Sequence, residues 1–589
     1  MAVLVVEALT PAVTALVLAH LVDTLIATGG SGGIAAAVFP GLLAFSGVLL
    51  LGAVGEAMDG PLRAGITARI DGEHRRDVAH LVSGSRYLAP LENPTVQRLV
   101  REVTLDPARG YDTTPAEGAI AQLRWLASLL GVAASCAVLA WYAWWLVPLV
   151  LLPALLNWHI CNRQATEMAA LWRGAIKGEL HADVWRQAAV SAGEGKDIRI
   201  FGFAAWMIDR MQHHIVSANE AFWDYVARIM RGQWRQFGLV AVGLVPAYAA
   251  VTVSAAQGST PIGVLAAVLT AGWSVFQVLG RSMEQYKMAS AARVLEATDR
   301  LRHELAVTVP QGDPGPREDL SERPPPLVRF QGVSFTYPGT SRSVLRELDL
   351  EIRPGELLAI VGLNGAGKST LIKLLSGLYA PTGGRVTADG RDIEEIDPRL
   401  WRSRLSVVFQ DFVRYHLSVS DNIALGHATS EPDQDDLNAA ARDAGLTAVL
   451  ERLSGGWETP LARVREGGVD LSGGQWQQVV LARALYAVRR GARLLILDEP
   501  TAHLDVRTEF DVFDRLAKHR GETSVVLISH RLSTVRMADR IVMLDGGRIT
   551  ESGTHDDLMA LGGSYAEMFA IQAERFNRGY DERIEEGEL

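Results

Sequence analysis

Cysteine is almost missing from this chain, which has two, Cys136 and Cys161. Both lie in or beside apolar runs. Neither sits in the close Cys/His spacing of a metal site, and two cannot make the framework of a disulfide-stapled secreted domain, so they read as buried free thiols. An excess of positive charge is missing too. The formal net charge is -10 over 589 residues, whereas nucleic-acid binders carry a basic patch or stripe; nucleic acid is excluded as a partner. Lysine and arginine are wholly absent from three short connections, Gly29–Gly33, Trp141–Trp145 and Gln257–Pro261. The N-terminus has no basic run ahead of its first apolar segment, which excludes a cleaved signal peptide.

What is present is uneven. A hydrophobic fraction of 48% hides a first half of long apolar stretches and a second half that reads as a soluble α/β domain. A membrane-crossing helix needs ~20 mostly apolar residues, and six stretches qualify: 3–28, 34–57, 119–141, 144–162, 237–256 and 260–281. The third and fourth are separated only by "WYAWW", whose aromatic rings favour the membrane–water interface and mark a tight turn there. The connections without Lys or Arg alternate with two long ones rich in positive charge, Arg63 through Arg101 in one and Arg163 through Arg235, with Lys177 and Lys196, in the other. The positive-inside tendency therefore places the long connections and the C-terminal half in the cytoplasm. Near the tips of the long connections lie "LENPTVQRLVRE" and "GKDIRIFGF", segments that either dock on another domain or are solvated helix ends. His20 and Asp23 fall one turn apart on the first span; ionisable groups inside membranes are usually functional, but Asp23 is near the outer end, which favours a wet interface over the alternative that the two face a cavity and help choose a substrate.

After the last span a charged helical stretch runs into "VPQGDPGPREDLSERPPPL", a Pro-rich spacer that cannot sustain a helix. The expected fold class is an α-helical six-span transmembrane domain (1–305), a linker (306–327), an α/β P-loop ATPase domain (328–570) and a charged tail (571–589).

The second half carries the chemistry. "VGLNGAGKSTLIKLL" places Gly362, four residues including Asn364, Gly365 and Ala366, then Gly367, Lys368, Ser369 and Thr370 between an apolar strand and a helix. This is the full Walker A pattern in its confirming context. Backbone N–H groups and the helix N-terminus cradle phosphates; Lys368 reaches the β/γ-phosphates and Ser369 holds Mg²⁺. "RLLILDEP" is a strand delivering two acids at its C-terminal edge, Asp498 toward the metal and Glu499 toward an attacking water. A further strand, "SVVLIS", ends in His530. A second glycine-rich turn feeding a helix, "GGVDLSGGQWQQVVLARAL", has no lysine.

Taken in order, Walker A, a glutamine, "LSGGQ", Walker B with its glutamate, "HLD" and a terminal-strand histidine resemble the ATP-binding cassette (ABC) transporters. Six spans followed by one cassette look like an exporter-type half-transporter. The resemblance implies ATP and Mg²⁺ as cofactors. It implies that Tyr337 stacks on adenine, that Gln410 reaches Mg²⁺ and senses the membrane domain, that Asp505 is the D-loop acid, and that His530 meets the γ-phosphate. It makes Ser472, Gly473, Gly474 and Gln475 the signature that caps ATP held by another cassette, hence the missing lysine, and a dimer with two ATPs at its interface. Glu499 and His530 both being present, a homodimer is chemically self-sufficient, and a heterodimer with a second half-transporter stays open. The two loop tips look like coupling segments. The texture of "GGVDLSGGQWQ" and "QDFVRY" is closest to bacterial drug and modified-peptide exporters, which implies the bacterial cytoplasmic membrane. Met1 falls almost at the first span, so an amphipathic leading helix is absent or the start lies upstream; no cysteine-peptidase segment precedes the span, which argues against leader cleavage by this chain. The alternatives to an exporter of a drug, lipid or modified peptide are an importer on the same scaffold and a non-transporting ABC ATPase.

Glu499→Gln is expected to bind ATP but to hydrolyse it at least ~10²-fold more slowly, the scale of general-base assistance, while Lys368→Ala weakens phosphate binding itself. Near-normal turnover in both, measured by phosphate release, defeats the assignment.

Overall fold

The computed structural model describes residues 1–28, 34–104, 113–190, 195–280, 283–306, 324–500, 523–529, 531–571 and 573–574. The chain divides into two units, Met1–Ser83 with Gln97–His303, and Gly84–Val96 with Glu304–Leu589. The helices up to the linker are α1 (Ala2–Thr28), α2 (Ile34–Ser83), α3 (Ala89–Glu92), α4 (Pro94–Val103), α5 (Pro115–Tyr142), α6 (Leu146–Val190), α7 (Gly195–Ile200), α8 (Ala204–Ala256), α9 (Ile262–Leu279) and α10 (Met283–Ala306).

In the first unit, five stretches among the described residues are long and apolar enough to cross a membrane: Ala2–Ala27, Ala36–Ser83, Pro115–Tyr142, Ala204–Ala256 and Ile262–Leu305. The fourth expected span, 144–162, is helical within α6, where Asn157, His159 and Asn162 dilute the apolar run, and α6 packs along α8, itself one of the five. None of the apolar window of α2 is buried within the unit; side chains such as Phe39 and Leu50 point outward, as a lipid-facing helix requires. The charges near the ends of these spans are paired. Arg124 bonds Asp59, and Glu117 lies 2.9 Å from Arg63 and 3.9 Å from Lys287, so α2, α5 and α10 are tied by ions that bury one another's cost. Both cysteines are free, and half-buried rather than buried.

Asp23 is tied up in the same way. Its Oδ1 accepts the backbone N–H of Gly263, at the start of α9, at 2.8 Å. The carboxylate thereby satisfies one of the orphan donors of a helix N-terminus. His20 is exposed, and its carbonyl accepts the Thr24 hydroxyl. Gly263 is required where it stands, because an added Cβ would lie 2.1 Å from the carbonyl oxygen of Ala19; small residues are what let membrane helices approach backbone to backbone. A second tie lies beside it, where the Tyr142 hydroxyl meets Thr260 Oγ1 at 2.9 Å and Ser254 Oγ at 3.3 Å.

The second unit is built on two sheets. One is antiparallel, in the order β2-β1-β4-β5, with β1 (Val328–Thr336), β2 (Ser343–Ile352), β4 (Gly383–Ala388) and β5 (Arg391–Asp392). The other runs β10-β9-β3-β8-β7-β6, with β3 (Leu357–Val361), β6 (Leu405–Val408), β7 (Leu494–Asp498), β8 (Ser524–Ile528), β9 (Arg540–Asp545) and β10 (Arg548–Gly553). All its pairings are parallel except β10 with β9. Parallel strands covered on both faces read as unbroken apolar runs, and β3 illustrates why: Leu357, Ala359 and Val361 enter one core while Leu358 and Ile360 enter the other. The helices are α11 (Lys368–Leu375), α12 (Pro398–Ser403), α13 (Val419–Ala424), α14 (Gln434–Asp443), α15 (Thr447–Leu450), α16 (Gly473–Arg489), α17 (Leu532–Val535) and α18 (His555–Leu561).

Residues 84–96, expected within the membrane domain, belong to this second unit. The Leu88 N–H donates to Leu378 O at 2.9 Å. Arg86 donates to Ile393 O at 3.0 Å and Arg402 donates to Arg86 O. The buried Tyr379 hydroxyl donates to Glu92 at 2.5 Å, and burial together with that carboxylate holds the phenol above its ordinary pKa. The other expected docking tip, α7 with Phe201–Phe203, lies in the first unit, where Ile200 and Phe201 are exposed.

Gly263→Ala is expected to lower the apparent melting temperature in detergent by several degrees, the effect of a steric clash worth ~1–3 kcal/mol, while Asp23→Asn, which keeps the acceptor, leaves it near wild type. Tyr379→Phe removes a charge-assisted hydrogen bond worth about 1.5–3 kcal/mol. Amide exchange at Leu88 is expected to speed up by about ten-fold, measured by hydrogen–deuterium exchange in the full chain.

Candidate nucleotide site

β3 ends at Val361 and α11 begins at Lys368, so the intervening loop rises from the middle of the parallel sheet onto a helix N-terminus. The loop closes only with glycine at its last position: Gly367 has φ +108°, and an added Cβ would meet Leu345 at 2.7 Å. Asn364, Gly365, Gly367, Lys368, Ser369 and Thr370 form one wall of a cavity of about 620 Å³, within the usual range for small-molecule sites.

Strand order supplies the opposite chemistry. β7 lies one strand from β3, across β8, and it carries Asp498 to the same edge. Ser369 Oγ donates to Asp498 Oδ2 at 3.0 Å. Glu499 follows in the left-handed region, φ +48°, a strain of about 1–3 kcal/mol for a non-glycine residue, with its N–H held by Ile528 O at 3.0 Å. Gln410, in the loop after β6, donates through Nε2 to Glu499 Oε2 at 3.1 Å. Lys368 Nζ lies 2.8 Å from Gly362 O and 3.1 Å from Leu363 O. Burial pushes its ammonium below the ordinary lysine pKa, opposed by Glu499 and Asp498. Asp498 is pushed up by burial, while the Ser369 bond pulls it back. Two acids, a serine hydroxyl and a carboxamide at one end make a hard-oxygen donor set of the kind that suits Mg²⁺, and a lysine among backbone N–H groups makes an anion seat.

The structure brings together Asn364, Gly365, Gly367, Lys368, Ser369, Thr370, Gln410, Asp498 and Glu499 in this one cavity. Tyr337 is not among its lining residues. Its hydroxyl pairs with Thr370 Oγ1 at 3.0 Å, and its ring packs edge-on to Phe335 and Tyr379, with Lys373 Nζ 5.4 Å from its centroid. Asp505 and His530 lie outside the described residues.

The signature, Ser472 to Gln475, does not line the cavity either. It opens α16 as a capping box: Ser472 Oγ accepts from Gln475 N at 3.3 Å and Gln475 Oε1 accepts from Ser472 N at 2.9 Å. The glutamine loop is tied to that helix. The Arg414 guanidinium stands 6.0 Å from the ring of buried Trp476 and 5.8 Å from that of Phe412, and Arg483 stands 5.0 Å from the Tyr415 ring.

Sequence reading missed a whole wall, formed by Arg342 to Arg346 at the start of β2 and by the Gly546–Gly547 turn between β9 and β10. No motif marks these residues; the only signal was two arginines at alternating positions beside the expected nucleotide-binding loop.

Residues 345–502 match the ABC transporter family. The chain is 39% identical over 313 residues to the ATP-dependent lipid A-core flippase of Alkalilimnicola ehrlichii, covering 53% of this chain and 50% of that one. It is 38% identical over 303 residues to the mycobactin import ATP-binding/permease protein IrtB of Mycolicibacterium smegmatis, covering 50% of each. The chain thus spans about half the length of the curated relatives it matches. Over 97% of both chains, its structure resembles that of a bacterial Atm1-family ABC exporter with ATP bound, at a TM-score of 0.75 and 26% identity. Residues 345–502 thus form a cassette of the ABC transporter family, in a chain whose apolar helices and overall fold are those of an ABC exporter.

Proposed function

We propose that this chain is one half of a dimeric, ATP-driven exporter in a bacterial cytoplasmic membrane, with its cassette in the cytoplasm. The observation that carries the reading is the convergence of the phosphate loop, Asp498, and the Gln410–Glu499 pair in one cavity of a chain whose other unit is membrane-spanning. Lys368 and the backbone N–H groups ahead of α11 bind and orient the triphosphate. Ser369, Asp498 and Gln410 hold Mg²⁺, which supplies neutralisation of charge developing on the transferred phosphoryl group. Glu499 accepts the proton of the attacking water, with Gln410 fixing the carboxylate that receives it. His530 and Asp505 complete the site as the resemblance implies.

The signature is built to cap a second ATP. Its lack of a lysine, and its place outside this chain's own cavity, favour two chains facing each other, each lending Ser472–Gln475 to the other. Both hydrolytic residues being present favours two identical chains. Closure around two nucleotides moves residues 84–96 with the cassette on which they are seated. A ligand shifts such an equilibrium only as far as its affinity for the two states differs.

A second reading has its own support: one relative, 38% identical over 303 residues, is named as an import protein. The scaffold hosts either direction.

The test is ATPase activity of the chain alone in lipid nanodiscs, with Glu499→Gln as the blank. Activity lost in the blank is the expected result. A well-folded sample that binds ATP but does not hydrolyse it overturns the homodimer and requires a different partner chain. Inside-out vesicles then separate export, as ATP-dependent accumulation, from import, as ATP-dependent loss.

A further inference from the structure

Side chains on a strand alternate between faces, and the start of β2 uses the alternation in an unusual way. Leu345 points into the core, fully buried. Val344 and Arg346 share the other face and line the nucleotide cavity, together with Arg342 and Ser343 where the chain enters the strand. The turn beside them must be glycine: at Gly547, φ is +82° and an added Cβ would lie 2.4 Å from Val344 O. Gly547 O in turn accepts the Arg346 N–H at 3.0 Å, so the wall is fixed by main-chain contact.

The charges on this wall are set apart from others on the same sheet. Arg329 pairs with Glu351 at 2.8 Å, and Arg548 pairs with Glu347 at 2.9 Å. Among the described residues, neither Arg342 nor Arg346 forms an ion pair. Two guanidinium groups without carboxylates thus border a cavity whose own acids, Asp498 and Glu499, are engaged with Ser369 and Gln410. A planar, permanently charged fork is suited to phosphate oxygens and forms charge-assisted hydrogen bonds with them.

We propose that Arg342 and Arg346 are nucleotide-binding residues that grip the phosphate tail of a nucleoside triphosphate from the wall beside the phosphate loop, and that their grip is indifferent to the base. The inference rests on the reading of the cavity as the ATP site. It adds a second set of cations to Lys368 and assigns nucleotide affinity to a strand that carries no nucleotide motif.

The test uses the full chain in nanodiscs on the Glu499→Gln background, so that nucleotide is bound and not consumed. Binding of ATP and of GTP, each with Mg²⁺, is measured for R342A, R346A, the double variant and R548A. In R342A and R346A both affinities are expected to fall about ten-fold, with the ATP-to-GTP ratio unchanged and a shallower salt dependence of binding. R548A, which breaks a paired arginine of the same sheet, leaves both affinities as they were. Unchanged affinity in the double variant overturns the proposal, as does a changed ATP-to-GTP ratio, which would mean a contact to the base. If the unsubstituted chain binds neither nucleotide, the reading of the cavity itself fails, a result distinct from either of these.

Discussion

Two carboxylates stand beside the seat of a polyanion, and the cassette is arranged around that conflict. Asp498 and Glu499 leave the same strand end in succession, and at Asp498 burial and the neighbouring carboxylate both resist ionisation. Each is given a donor: the Ser369 hydroxyl for one and the Gln410 amide for the other. Lys368 adds attraction from the loop, and the helix N-terminus adds its field. In the function proposed above, this keeps the acids available for a cation and a water on the side away from the phosphates. The parallel sheet makes this possible, since β3, β8 and β7 are adjacent and end at one edge.

The donors that resolve the conflict are also the parts that reach outward. Gln410 begins a loop whose Arg414 rests over Trp476, in the first turn of the signature helix, and whose Tyr415 lies under Arg483 of the same helix. The aromatic group around Tyr337 ends in Tyr379, which holds Glu92 of the segment contributed from the first half of the chain. A change in how the phosphates are held therefore has two short routes away from the site, one into α16 and one into residues 84–96.

Much of this was legible in the sequence, for a definite reason. Residues 362–370, 498–499 and 472–475 act through local spacing on one turn, one strand end and one helix start, and local spacing is what a sequence displays. The wall of Arg342, Val344 and Arg346 was not legible, because it depends on which strand pairs with which and on a turn two hundred residues away. Tyr337 was singled out only by the family resemblance; what no spacing displayed is that its ring packs edge-on to Phe335 and Tyr379 while its hydroxyl reaches Thr370. Asp23 read as a group at a wet interface or facing a cavity; its partner, a backbone N–H of Gly263, has no side chain to announce itself.

The capping box at the signature has one more consequence. Ser472 and Gln475 satisfy each other's backbone donors, which leaves the N–H groups of Gly473 and Gly474 as the orphan donors of the first turn. A phosphate arriving from a second cassette would therefore meet a helix start already held in shape, with two glycine amides turned outward. It would order nothing that is not ordered already, and its gain would be the pull of charge on those two amides. Such a contact is strong while the full charge of a triphosphate is present and weaker once the terminal phosphate has gone, so the helix can let go without unravelling.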